Sequence, residues 1–158
     1  MFRLNRLTDY GVVVLTQICL SNNGLCSAQQ ISRRTGVPLP TVAKVLNVLT
    51  REGLVESQRG AAGGYALSRP ADRIAVADII EALEGPIALT ACVESAGGHC
   101  EVESICPMRG GWDKVNRAIQ NALHSVTLAE MMGCALGPTP PREDHETQSE
   151  ADPAPTHG

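Results

Sequence analysis

Aromatic side chains are scarce in this 158-residue chain, with one Trp, one Phe and two Tyr. Its core is therefore expected to be aliphatic. No apolar run approaches the roughly 18 residues that a membrane-crossing helix needs. The opening stretch, MFRLNRLTDYG, lacks the basic, apolar and small-residue segments of a secretory signal. No nucleotide or cofactor fingerprint and no internal repeat is present. These absences argue against a membrane protein and give an enzyme little footing. The expected location is the cytoplasm, where thiols stay reduced. Six cysteines there read as metal-binding or redox groups before they read as a disulfide framework.

Charge is unevenly distributed. The formal net charge is −4, yet residues 1–70 carry eight Lys or Arg against three acids. Residues 71–136 carry four basic and nine acidic groups, and residues 137–158 one basic and five acidic. A basic first half points to a polyanionic partner for that half.

Periodicity and capping signals give the architecture. Thr8 is the expected N-cap of a first helix with Val12, Leu15, Ile18 and Cys19 on its apolar stripe. Cys19 is then a small buried hydrophobe, while Cys26 falls at a turn. Ser27 to Gln30 forms a capping box opening a second helix that Gly36 stops. Pro38 and Pro40 frame a third helix with Val42, Val45, Leu46 and Leu49 inward and Gly53 at its end. Leu54–Gln58 and Tyr65–Ser68 read as strands joined by the glycine-rich turn RGAAGG. Helix, helix-turn-helix and hairpin in this order make a winged helix-turn-helix. A fourth helix is expected over Ile74–Leu83, and a long one from Gly111 to Ser125 with Trp112, Val115, Ile119 and Leu123 on one face. Thr127 to Glu130 is a second capping box, opening a last short helix.

The expected fold is mainly α, a winged helix-turn-helix with a small wing and a long C-terminal helix. Its parts are a DNA-binding domain over 1–88, a Cys-rich loop over 89–110, and a dimerisation helix with a short terminal helix over 111–134. Residues 135–158 form an acidic, Pro-rich tail whose composition predicts disorder.

A helix-turn-helix lays its second helix in the major groove, with that helix's N-terminal residues nearest the bases. Those residues are Pro40, Thr41 and Lys44. Thr41 can bond a base edge or touch a thymine methyl, and Lys44 can reach guanine or phosphate. Arg33, Arg34 and Arg51 suit phosphates. Arg59, with Gly60 beside it at the wing tip, suits a minor groove. Singly, each of these is also what an ordinary solvated charge looks like.

Cys92, Cys100 and Cys106 follow the spacing C-x7-C-x5-C, with Gly97 and Gly98 between the first two. Such a loop can wrap three thiolates around a small inorganic centre. Soft thiolates select zinc, copper(I) or iron–sulphur clusters. A fourth ligand must come from a non-cysteine side chain, a partner subunit or solvent. That incompleteness favours a sensor over a closed structural zinc site.

With RLTDYG at the start, GLVESQRGAAGGYALSRP in the wing, IAVADIIEALEG after it, the three cysteines, and VTLAEMM near the end, the chain resembles a known family. This is the winged-helix family of bacterial iron–sulphur transcription regulators that includes IscR and NsrR, and within it the SUF-system regulators. The resemblance spans residues 1 to about 133. It implies a homodimer with crossing C-terminal helices, promoter DNA as partner, and a cluster on Cys92, Cys100 and Cys106. The family pattern favours 2Fe–2S.

Two departures stand out. The first spacing is two residues longer than in IscR-like members. Arg109 stands where those members carry a histidine, and guanidinium is a poor ligand because it stays protonated. NsrR-like members use an aspartate from the partner subunit's first helix, and Asp9 matches that position. Asp9 is thus the implied fourth ligand and keeps 4Fe–4S open, with His99 as the other candidate.

The expected function is a homodimeric, DNA-binding repressor of Fe–S assembly genes that senses cluster supply and draws its cluster from the assembly machinery. The rival is a zinc- or thiol-dependent regulator without a cluster. A cysteine enzyme pairing Cys106 with His99 or His124, and a winged helix that binds only protein, are the remaining alternatives.

Overall fold

The computed structural model describes residues 4–21, 24–90, 93 and 111–133. The expectations for Cys92, His99, Cys100, Cys106, Arg109 and the tail lie outside those residues. Among the described residues six helices and a hairpin run in the order α1 (Arg6–Cys19), α2 (Ala28–Thr35), α3 (Leu39–Arg51), β1 (Val55–Gln58), β2 (Gly64–Leu67), α4 (Val76–Glu84), α5 (Gly111–His124) and α6 (Leu128–Met132). A 3-10 turn, Ala71–Arg73, precedes α4. This is the mainly helical winged helix-turn-helix read from the periodicity.

Aliphatic side chains fill the core. Leu15 and Ile18 of α1, Ile31 of α2, and Val42, Val45, Leu46 and Leu49 of α3 are fully buried in one cluster. The first helix starts earlier than expected. Asn5 is its N-cap, accepting from the backbone N–H groups of Leu7 and Thr8. Thr8 is instead buried, and its hydroxyl donates to the Glu84 carboxylate at the end of α4. A tertiary partner thus takes the side chain that would have capped locally. Gly11 lets α4 approach α1, because a Cβ there would collide with Leu83. Cys19 is half-buried rather than inside.

The capping box at α2 forms as read. The Gln30 N–H donates to Ser27 Oγ at 3.2 Å, and the Ser27 N–H to Gln30 Oε1 at 2.9 Å. Removing the hydroxyl leaves a first-turn N–H unpaired, so Ser27→Ala should cost about 1 kcal/mol of stability. That loss should appear as a lower urea midpoint at unchanged slope. At the other end Gly36 adopts φ 74°, the left-handed conformation that stops the helix.

The two strands pair antiparallel, with Val55 opposite Leu67 and Gln58 opposite Gly64. Cys26 is not in a free turn. It is buried and exchanges backbone hydrogen bonds with Tyr65 at 3.0 and 2.9 Å, which ties the start of α2 to the wing. Gly64 allows this approach, since a Cβ there would lie 2.9 Å from the Cys26 carbonyl.

Helix α4 begins two residues later than the periodicity suggested. The Ile74 carbonyl accepts from the Leu128 N–H at 2.8 Å and the Val76 N–H donates to Val126 at 2.9 Å, so this stretch is extended. Asp78 then caps the Ala75 N–H and pairs with Arg69 at 2.7 Å. Leu128 of α6 is fully buried in the same core as α1 and α3. Helix α5 packs Ile119 and Leu123 against Ala77, Ile80 and Ile87. Its Asn116, 1% exposed, donates to the Ile87 carbonyl and accepts from the Leu89 N–H. Trp112 and Val115, by contrast, are 41% and 46% exposed. Among the described residues no helix is long and apolar enough to cross a membrane.

Candidate nucleic-acid interface

Burial divides α3 into two faces. Val42, Val45, Leu46 and Leu49 lie inward, while Pro40, Lys44, Asn47 and Arg51 are exposed. The exposed positions are spaced four, three and four residues apart. At about 100° per residue they fall within roughly 60° of arc, opposite the buried stripe. No acidic residue occurs between Leu39 and Arg51. Thr41, half-buried, flanks the exposed stripe at the helix start.

The cations around this stripe are free to meet an external anion. Among the described residues Arg33, Arg34, Lys44 and Arg59 are exposed and carry no ion pair. Arg51 pairs with Glu52 at 2.9 Å, but both side chains are exposed, Arg51 the more so. Such a pair is worth little and competes weakly with phosphate. Arg33 and Arg34 also sit in the last turn of α2, where positive charge suits the helix dipole. That role is compatible with a phosphate contact.

The wing turn runs from Arg59 to Gly63, with Gly60 at φ 126°, a value that favours glycine. Gly63 is packed so closely that a Cβ would lie 2.5 Å from the Gln58 carbonyl oxygen. Between the wing turn and α2 lies an open groove of about 430 Å³. Gln29, Gln30 and Arg33 form one wall, and Ala61, Ala62 and Gly63 the other. Composition did not point to this groove, because it exists only once the Cys26–Tyr65 pairing draws the hairpin over α2. Asn47 was also missed, although extending the Pro40 and Lys44 spacing by one helical step would have reached it.

Asp9 lies in the first turn of α1, exposed, and its carboxylate has no hydrogen-bond partner among the described residues. It is thus available to an outside ligand. Among the described residues no group of three His, Cys, Asp or Glu is arranged to hold a metal ion.

Residues 4–133 match the Rrf2 family, described as iron-dependent transcriptional regulators. The HTH-type transcriptional regulator IscR of Klebsiella pneumoniae (strain 342) is 30% identical over 152 residues, which is 94% of this chain and 92% of the relative. Among solved structures, CymR, the global cysteine regulator of B. subtilis, superposes with a TM-score of 0.64 at 28% identity, covering 83% of this chain and 96% of that one. IscR of T. potens does so with a TM-score of 0.60 at 32% identity, covering 83% and 86%.

Proposed function

This chain belongs to the Rrf2 family of iron-dependent transcriptional regulators, and on that premise we propose that it is a homodimeric repressor of Fe–S assembly genes, acting in the cytoplasm, whose operator affinity depends on an iron–sulphur cluster. The family is one of DNA-binding transcriptional regulators, not of enzymes. The observation that carries the DNA-binding part is the acid-free exposed stripe of α3, bordered by cations of α2 and the wing that have no ion pair among the described residues.

In this reading α3 enters the major groove, with Pro40, Thr41 and Lys44 nearest the bases. Arg33, Arg34 and Arg51 contact phosphates, and Arg59 and Gly60 enter the adjacent minor groove. The α2–wing groove then follows the sugar–phosphate strand between them. The exposed Trp112 and Val115 give α5 an apolar face for a second copy of the chain. A two-fold dimer calls for half-sites about one helical turn apart.

Cys92, Cys100 and Cys106 would hold the cluster, with Asp9 of the partner subunit as fourth ligand. Three thiolates and a carboxylate are a suitable donor set. The 2Fe–2S form is favoured, with 4Fe–4S as its alternative and the assembly machinery as donor. When bound, the cluster supplies a link that responds to iron and oxidants. The chain's own residues can carry the response to DNA. Glu84 accepts from both the Asn5 N–H and the Thr8 hydroxyl, fixing the start of α1 to the end of α4. Leu15 and Ile18 of α1 share a buried cluster with Val42 and Leu46 of α3. A shift at the start of α1 therefore reaches the recognition helix through close-packed side chains.

Protein purified without air should contain iron and acid-labile sulphide and absorb visible light. Asp9→Ala should alter that absorption, and DNA affinity should fall steeply between low and moderate salt. Colourless, iron-free protein with unchanged DNA affinity would end the cluster reading. The likeness to CymR, described as a cysteine regulator, supports a second reading in which zinc or reversible thiol oxidation replaces the cluster. Iron-free protein whose DNA affinity responds to peroxide or diamide, or that contains zinc, would establish it.

A further inference from the structure

We propose that Asn47 is a base-reading residue that selects an adenine in the operator. The inference rests on the placement of α3 in the major groove. Asn47 occupies the middle of the exposed stripe formed by Pro40, Lys44, Asn47 and Arg51. Its position on the helix is nearly opposite Val42 and Leu49, both fully buried. Whatever α3 faces when it docks, Asn47 faces.

The fold makes no use of this side chain. Its amide has no hydrogen bond with any described residue, and asparagine is a poorer helix former than the leucines around it. It caps nothing, because α3 continues to Arg51. Of the cations about one turn away on each side, Lys44 can reach guanine or phosphate and Arg51 suits a phosphate. An uncharged amide between them adds little to phosphate affinity but supplies one acceptor and a pair of donors at a fixed separation. That pattern matches the N6 amino group and N7 of adenine in the major groove.

The helix geometry allows the contact. Seven residues separate Pro40 from Asn47, or about 10 Å along the axis at ~1.5 Å per residue. This corresponds to roughly three base-pair steps of B-DNA at 3.4 Å each. Residues at the start of α3 and Asn47 can thus address different base pairs of one half-site. A recognition helix that reads bases from residues three, four and seven apart on one face is an established arrangement in homeodomains.

The test selects binding sites from a randomised duplex library, using full-length wild-type protein and N47A. Asn47 is exposed and pairs with nothing in the described chain, so N47A should fold normally, which thermal unfolding checks. Wild type should recover a two-fold consensus containing an adenine at one position of each half-site. N47A should lose the preference at that position and keep the others. Replacing that adenine by 7-deazaadenine, which removes N7 but keeps the N6 amino group, should weaken wild-type binding by roughly 2- to 12-fold, the net worth of one hydrogen bond, and leave N47A nearly unaffected. An unchanged consensus for N47A overturns the proposal, whether affinity is uniformly weaker, as for a phosphate contact, or the same. If wild type itself selects no sequence, the groove placement of α3 fails as well.

Discussion

Leu46→Ala should lower the free energy of unfolding by about 2–5 kcal/mol, the range for a large-to-alanine change in a packed core. Leu46 is fully buried and shares its cluster with Leu15, Ile18 and Ile31 from two other helices. Truncation removes apolar area from the core and leaves a cavity that three packed helices can only partly close. Of the few aromatics in the chain, Tyr10 and Tyr65 pack against this cluster only as partly buried side chains. Urea unfolding followed by helical circular dichroism measures the loss. The DNA readout should separate the two faces of α3. Under conditions where the variant is folded, it should select the same sequence as wild type, because its exposed stripe is unchanged. A cost below ~1 kcal/mol, or a changed consensus in folded protein, would show that the buried side of α3 does not hold the helix as described.

The contrast between these faces shows what the sequence carried and what it did not. The inward stripe of α3 and the capping boxes at Ser27 and Thr127 were legible because each depends on residues within one or two turns. Features set by distant partners were not. Thr8 has the chemistry of a cap, but Glu84 claims its hydroxyl from 76 positions away. The start of α4 moved because backbone groups near residue 127 pair with Ile74 and Val76. Cys26 looked like a turn residue, whereas Tyr65 pairs with its backbone. For the candidate interface, the cations could be read singly, but not that Arg33, Arg34, Lys44 and Arg59 have no acidic partner among the described residues. Asn47 was hidden for a different reason. Every exposed polar residue on a helix looks alike until burial fixes which arc faces outward. At the candidate metal site, spacing picked out three thiols, but spacing within one chain says nothing of the fourth donor proposed to come from a second copy.

Replacing Cys92, Cys100 and Cys106 together by serine should reduce bound iron and sulphide to background and make promoter occupancy independent of iron supply. Serine keeps the size of the side chain and its ability to hydrogen-bond. It loses the soft, readily ionised sulphur that distinguishes these ligands from hard oxygen donors. His99, the other candidate fourth ligand, is a single donor and does not replace three thiolates. Arg109 cannot ligate while protonated, and a carboxylate from Asp9 alone cannot hold a cluster. Cys19→Ser provides the control, since Cys19 is half-buried on α1 and no metal-binding group forms around it among the described residues. That variant should retain wild-type iron content and iron response. Iron and zinc should both be measured, because loss of zinc in place of iron would transfer the result to the cluster-free reading. DNA binding itself should survive in the triple variant, because Lys44, Arg59 and the rest of the basic face lie on elements that fold through the aliphatic core. An iron response that persists in the triple variant would separate regulation from these thiols and leave the basic face as a DNA-binding surface without this sensor.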